Sequence, residues 1–462
     1  MKYRKLLLPI AVSTALASLS AEAATDAERI QQLERVVEQQ QQVIEAIQQE
    51  LRQLKSSPAT SVITENLDEP VAAVIQADEV VAKEKPSDKI DFDIYGFVMV
   101  DAIYDFKRVD PDWNDTLRVT TIPTQDGGFG EDGEFVFGVR QSRLGFAANY
   151  DTSAGPVSAL LEWELFGTGG DAGQTTPRLR HAWATWKNFG MGQYWSNFMD
   201  IDIFPNTIDY WGPTGMVFYR NKQARYSWQL DEDVFSVALE DPDTALTIGK
   251  FRDTCADPIS KSCESVLGDV VRKYNDVPDL SLRYRNNTDW GHWQVAGIAR
   301  KLGYERLDTG AKDHEFGWGV NASTVINTTE RDKLKLQLVY GEGIGNYMND
   351  GGLDLAPRNA NLVGNSATTV PLLGIVAYYD HYWNDQWSSS VGWSSIQLDT
   401  TKGQSGSEFD GGQIAQINLL HYPTNGVLIG GELIWGERED ISGDDGYDLR
   451  AQFSLKVNFP RD

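Results

Sequence analysis

Histidine and cysteine are scarce in this chain of 462 residues, which holds five histidines and two cysteines. The histidines are His181, His292, His314, His381 and His421. Their spacing is not that of metal ligands. The chain also lacks an HExxH motif, a GxSxG nucleophile elbow and a phosphate-binding loop. We therefore expect no enzyme activity, no bound metal and no cofactor.

Basic residues and long apolar runs are also in short supply. The chain has 41 Lys and Arg against 67 Asp and Glu, a formal net charge of -26, which argues against nucleic acid as a partner. No stretch reaches the roughly 18 consecutive apolar residues that a transmembrane helix requires. These two absences exclude a nucleic-acid-binding protein and a helical membrane protein.

The two cysteines, Cys255 and Cys263, lie in one polar stretch, FRDTCADPISKSCESVLG. In an oxidising compartment, such a pair favours a local disulfide within a loop.

The N-terminus has the three parts of a secretory signal peptide. Lys2, Arg4 and Lys5 form a basic region, Leu6–Leu16 is apolar, and Ala21-Glu22-Ala23 resembles a cleavage site. We expect residues 1–23 to be removed during export.

Residues 24–55 follow a heptad pattern that predicts a coiled coil. The a positions are Ile30, Val37, Ile44 and Leu51, and the d positions are Leu33, Gln40, Ile47 and Leu54. An Ile-rich seam with one core Gln favours more than two strands, so we expect a parallel homotrimer. Residues 56–89 have no period and read as a linker.

Residues 90–462 are rich in aromatics and glycine and predict a transmembrane β-barrel. In YDLRAQFSLKVNF (447–459), one face is wholly apolar with an aromatic at each end, and the other is polar. We predict sixteen antiparallel strands: 91–106, 134–150, 155–168, 176–187, 189–196, 218–230, 233–241, 279–288, 291–304, 314–328, 332–344, 370–384, 386–399, 411–423, 426–437 and 446–459. Long loops alternate with tight turns, which is the outer-membrane arrangement. The even count places both termini and the coiled coil in the periplasm of a Gram-negative bacterium, and sixteen strands leave an aqueous channel.

The stretch GQYWSNFMDIDIFPNTIDYWGPTG (192–215) covers the third long loop and mixes large apolar groups with Asp200, Asp202 and Asp209. Apolar anchors suit a loop held against a barrel wall, and acids suit a constriction. We therefore expect this loop to fold into the lumen. The alternative is an external loop with surface acids.

The same stretch resembles the DcaP-like trimeric porins, as do RQSRLGF (140–146), LRHAW (179–183) and IYGFVMVDAIYDF (94–106). The order of coiled coil and barrel is typical of that family too. The resemblance implies an outer-membrane homotrimer that imports small anions, dicarboxylates in particular, past lumenal arginines. The ending Phe-Pro-Arg-Asp departs from the terminal aromatic of such barrels.

Strand alternation predicts which arginines face the lumen. They are Arg143, Arg225, Arg283, Arg285, Arg300 and Arg450. Arg178 and Arg180 share a parity, but their face stays open. A planar guanidinium matches a carboxylate in two parallel bonds, so lumenal arginines suit carboxylate solutes. The alternative is that these arginines pair with loop acids and hold the loop in place.

The net charge keeps other functions open. Acidic outer loops suit divalent ions that bridge lipopolysaccharide, and we expect both lipopolysaccharide and membrane lipid as partners. The same acidic loops also suit a cation-preferring porin. A surface-anchoring or adhesive barrel without transport is a further alternative.

Overall fold

The structure is a computed structural model that describes residues 90–125, 127–130, 132–246, 271–307, 310–359 and 366–459. The predicted signal peptide, coiled coil and linker lie outside the described residues. So do Cys255 and Cys263, and their predicted disulfide stays a prediction.

The described chain forms a closed antiparallel β-barrel of sixteen strands. Eighteen segments join in one sheet, and two of the barrel strands consist of two segments each. The strands are β1 (Asp91–Asp105), β2 (Glu134–Gly138 with Arg143–Thr152), β3 (Gly155–Phe166), β4 (Thr175–Trp186), β5 (Phe189–Trp195), β6 (Arg220–Leu230), β7 (Asp233–Glu240), β8 (Val271–Lys273 with Asp279–Thr288), β9 (Gly291–Arg306), β10 (Lys312–Asn327), β11 (Lys333–Glu342), β12 (Pro371–Asn384), β13 (Trp387–Leu398), β14 (Phe409–Thr424), β15 (Val427–Asp440) and β16 (Asp445–Phe459). The first and last strands close the barrel, from Gly96 opposite Phe459 to Asp105 opposite Arg450. The predicted sixteen-strand barrel is confirmed.

Alternation along each strand separates the two faces of the barrel wall. On β16, Leu449 and Phe453 are exposed on the outer face, whereas Arg450 and Gln452 between them are buried. Because neighbouring side chains on a strand point to opposite faces, the pattern read from the sequence gives β16 an apolar outer face and a polar inner face.

Long connections at one end of the barrel alternate with tight turns at the other. Outer-membrane barrels carry their long loops on the outside, and we call that end the outer end. Five short 3-10 turns occur among the described residues: Pro111–Trp113, Val119–Thr121, Gly169–Asp171, Ile201–Ile203 and Gly345–Tyr347. A two-stranded hairpin, Leu355–Pro357 with Ala367–Thr369, lies in the sixth outer loop. The described part of the chain holds no helix with both the length and the apolar character needed to cross a membrane.

The main hydrophobic core lies inside the barrel, where loops pack against the inner wall. Phe198, Ile203 and Met216 of the third outer loop join Tyr347 of the sixth loop and Tyr378 of β12 in one buried cluster. The barrel is therefore lined by loops over part of its cross-section, and these loops determine what remains open.

Candidate functional site: the barrel lumen

The third outer loop (196–219) lies against the inner wall and is tied to strands around the barrel. The side chain of Asn321 on β10 donates to the carbonyl oxygen of Phe198 at 2.9 Å. The ammonium of Lys335 on β11 donates to the carbonyl oxygen of Phe204 at 2.6 Å. Across the barrel, Glu432 on β15 accepts from the backbone N–H groups at 208 and 209, at 3.0 and 3.2 Å. These polar bonds and the apolar anchors hold the loop inside the lumen.

Asp200 is fully buried and fastens this loop to β9 and β10. Its Oδ2 lies 2.8 Å from Nε2 of His292 and accepts from the hydroxyl of Ser323 at 2.7 Å. Its Oδ1 lies 3.5 Å from the guanidinium of Arg285. Burial raises the pKa of Asp200, but His292 and Arg285 outweigh it, so the pKa lies below the ordinary value. The carboxylate acts as a charged tether.

The other two predicted loop acids have different partners. Asp202 is partly exposed and lies 2.7 Å from Arg285. Asp209 is buried, accepts from the hydroxyl of Thr116 at 2.9 Å, and lies 3.6 Å from Arg450. Burial raises the pKa of Asp209 despite the opposing charge of Arg450. All three acids thus contact protein groups, and Asp202 retains the most exposure.

Three outer loops interlock at this point. The first loop (106–133) supplies Thr116 to Asp209, and Asn349 of the sixth loop (343–370) donates to the carbonyl oxygen of Trp211 at 2.7 Å. The guanidinium of Arg118 lies 4.2 Å from the ring centroid of Trp113 and 4.2 Å from that of Trp211. Such cation–π contacts help to fix both loops.

A cluster of four arginines and two glutamates lines the wall formed by β2, β3, β4 and β6. We call it the arginine cluster; its members are Arg143, Arg178, Arg180, Arg220, Glu162 and Glu164. Arg180 lies 2.6 Å from Glu162 and 2.5 Å from Glu164. Arg143 and Arg220 lie 3.6 and 3.5 Å from a glutamate oxygen, and Arg178 donates to Glu164 and to the hydroxyl of Tyr210.

The arginine cluster carries more positive than negative charge and is partly open to solvent. Four guanidinium groups face two carboxylates. The side chains of Arg143, Arg178 and Arg220 are 25%, 23% and 13% exposed, whereas Arg180 is 5% exposed. The surplus charge is therefore on groups that solvent reaches.

Arg225, Arg283 and Arg285 also lie on the inner face. Arg225 is buried and donates to the side chain of Gln223 at 3.0 Å. Arg283 is buried and lies 3.4 Å from the hydroxyl of Ser236. The side chain of Arg285 is 17% exposed.

Arg300 and Arg450 have no exposed side-chain surface and hold other protein groups. Arg300 lies 2.9 Å from Asp279 and 2.8 Å from Asp354 of the sixth loop. Arg450 makes a two-pronged contact with Asp105 at 2.5 and 2.7 Å. The two arginines therefore hold loops and neighbouring strands together through ion pairs. This is the alternative raised from the sequence, in which lumenal arginines pair with acids of the protein.

The sequence reasoning missed Arg118, Arg220, Glu162 and Glu164. Glu162 and Glu164 alternate with Leu161 and Trp163, so the parity that identified the lumenal arginines also identifies these acids as inward-facing. Arg220 opens β6 at a loop boundary and Arg118 lies within a loop, where alternation gives no signal.

One group among the described residues has the donor atoms of a metal site. The ligand atoms of Asp200, Asp202 and His292 lie within 4.8 Å of one another. Arg285 already supplies a positive charge to both carboxylates, so the arrangement has a complete account as an ion-paired tether.

Comparisons with known proteins agree with this architecture. The crystal structure of the outer membrane channel DcaP of Acinetobacter baumannii matches with a TM-score of 0.65 and 21% identity, over 80% of this chain and 97% of that one. An anion-selective porin from Comamonas acidovorans matches with a TM-score of 0.51 and 8% identity, over 80% of this chain and all of that one. These likenesses show the fold. No curated protein matches the chain in sequence.

The family model described as DcaP outer membrane protein matches residues 15–247, about half of the chain. The match covers β1 to β7, including the arginine cluster and the third loop. It bears out the predicted resemblance and indicates the outer membrane of a Gram-negative bacterium. The chain belongs to the DcaP outer membrane protein family.

Proposed function

We propose that this protein is a passive outer-membrane channel for small anions, dicarboxylates in particular. The arginine cluster is the observation that carries the proposal. It places a surplus of guanidinium groups on the inner wall, three of them partly exposed.

The chemistry of these groups suits carboxylate solutes. A guanidinium is planar and always charged, and it donates two parallel hydrogen bonds to one carboxylate. Charges of one sign within a cleft raise the local concentration of the opposite ion. Arg178 and Arg220 share Glu164, so a passing carboxylate meets two donors that are already oriented.

The assembly and surroundings belong to the proposal as well. The heptads over residues 24–55 support a homotrimer held by a periplasmic coiled coil, and the first 23 residues support export. Acidic outer loops support contact with lipopolysaccharide through divalent ions.

The net charge of -26 favours one rival, a cation-preferring porin. In that case the acids of the outer mouth, rather than the arginine cluster, would set the preference. A surface-anchoring barrel is the other rival, since three loops already fill part of the lumen.

Single-channel recording in a planar bilayer separates these functions. The reversal potential in a salt gradient gives the anion-to-cation permeability ratio, and added succinate tests for block. We expect an anion preference, reversible block and closures in triplets. An exposed charge interacts with an ion at about 4 Å by about 1 kcal/mol in water, so Arg178→Gln should lower the ratio about fivefold.

Arg331→Gln is the matched control, because Arg331 is 54% exposed at the turn end and pairs with Asp385 there. It should leave the ratio unchanged. A cation preference in the unsubstituted protein would contradict the proposal, and an absence of conductance would favour an anchoring role.

A further inference from the structure

The outer ends of β8, β9 and β10 carry basic side chains on their outward face. We call them the outer basic patch; its members are Arg272, Lys301, Lys312 and His314. Strand pairing fixes their order. Lys301 lies opposite Phe316, His314 opposite Gly303, and Lys312 opposite Glu305. Arg272 also lies opposite Glu305, from the other side.

The patch begins where the apolar exterior ends. Phe316 and Trp318 are large exposed groups on the outward face of β10. Lys301 is the next outward residue toward the outer end, beside Phe316. An aromatic residue followed by bases is the sequence of groups that a barrel presents at a membrane surface, where acyl chains give way to charged head groups.

The bases of the patch outnumber its acids, although the chain as a whole is strongly acidic. Lys301 lies 2.8 Å from Asp276, and Arg272 lies 2.7 Å from Glu305. The ammonium of Lys312 lies 3.9 Å from the ring centroid of Tyr274. His314 lies 3.5 Å from Asp276 as well. Two acids therefore face three permanent bases and one histidine.

These contacts leave the bases available to a stronger anion. The side chains of Arg272 and Lys301 are 62% and 42% exposed, and such surface pairs contribute little stability. A phosphate carries more charge than a carboxylate and accepts from several donors at once. Because the patch faces away from the lumen, a passing solute does not reach it.

We propose that the outer basic patch binds the phosphate groups of a phosphorylated glycolipid of the outer leaflet. The aromatic side chains below it pack against the acyl chains of the same lipid. This inference rests on the outward face of the barrel and is independent of which ion the lumen prefers.

The test measures binding of phosphorylated lipid A to the purified full-length protein by native mass spectrometry. The variant is Arg272→Gln with Lys301→Gln and Lys312→Gln. A base near an anionic membrane surface contributes about fivefold in affinity, or about 1 kcal/mol, so the triple variant should bind about 100-fold more weakly. The matched control substitutes three exposed bases at the turn end, Lys187, Arg331 and Lys333, with Gln.

Two further probes separate the lipid from free phosphate. Lipid A lacking its phosphates should bind the unsubstituted protein as weakly as phosphorylated lipid A binds the triple variant. Inorganic phosphate alone should bind with far lower affinity, since it has no acyl chains to pack on Phe316.

Equal binding by the triple variant and the unsubstituted protein would overturn the proposal. So would an equal loss in the control, undiminished binding of the dephosphorylated lipid, or inorganic phosphate binding as tightly as the lipid. Permeability ratios of the same variants should not change, so a failure here is distinguishable from a failure of the proposed channel function.

Discussion

Removing the carboxylate of Asp200 should loosen the third outer loop. The side chain is fully buried, and the substitution Asp200→Ala leaves His292, Ser323 and Arg285 without this partner. Breaking a buried ion pair by deleting one member costs about 3–5 kcal/mol. Every 1.4 kcal/mol is about a factor of ten in an equilibrium constant, so the undocked form of this loop segment should become at least about 100-fold more populated.

The matched control is Asp202→Asn, two residues along the same loop. Asp202 is 23% exposed and pairs with Arg285 at 2.7 Å, and Arg285 keeps Asp200 as a second partner when Asp202 is neutralised. The control should therefore change little.

Single-channel conductance and current noise give the assay, together with the urea midpoint of the folded barrel. Asp200→Ala should raise the noise and the mean conductance and lower the midpoint. If both variants show the same conductance, noise and midpoint as the unsubstituted protein, Asp200 is not a tether and the loop is held by its other contacts alone.

Three further outcomes are expected. Because the pKa of Asp200 is lowered, its contribution to holding the third loop is complete above about pH 4, the ordinary pKa of Asp. That contribution is lost as the pH falls through the pKa of the folded state. Channel noise should therefore rise only in strong acid, and a rise near neutral pH would contradict this. Gly192→Ala should reduce the yield of folded barrel, since φ is 123° and a Cβ would lie 2.0 Å from a carbonyl oxygen of β4. In its control, Gly431→Ala, the new Cβ meets no atom within 4 Å, and the barrel should fold normally. Heat-modifiability on gels measures the folded yield of both variants. Arg300→Ala should free the sixth loop, because Asp354 and a second buried carboxylate lose their partner at a cost of about 3–5 kcal/mol. Limited proteolysis should then cleave the chain faster between β11 and β12. An unchanged rate of cleavage would refute this prediction.

Much of the barrel follows from a two-residue period. Alternation over 447–459 predicts β16 nearly to the residue, and it places Arg225 and Arg283 on the inner face, where the structure has them. A two-residue period does not predict where strand pairing is interrupted. The strand predicted at 134–150 is broken between Gly138 and Arg143, because nothing in a period of two marks where pairing pauses.

Alternation does not assign Arg178 and Arg180 to a face of the wall, and the structure shows why. Glu162 pairs with His181, but the next residue, Trp163, pairs with Leu179. Arg180 is thus the extra residue of a β-bulge, and a bulge shifts the alternation by one. Both Arg180 and His181 then lie near Glu162. Counting residues gives the right face on either side of a bulge but not across it.

The contacts that hold the third loop come from strands far apart on the barrel wall, β9 and β10 on one side and β15 on the other. A graft of residues 196–219 into a related barrel would transfer Asp200 without His292 and Ser323, its partners on the wall. It would also transfer the loop backbone without Glu432, which accepts from the N–H groups at 208 and 209. Moving this loop between relatives in its docked position therefore requires moving inner-wall residues from several distant strands with it, because the docked position is a property of the assembled barrel and not of the loop segment alone.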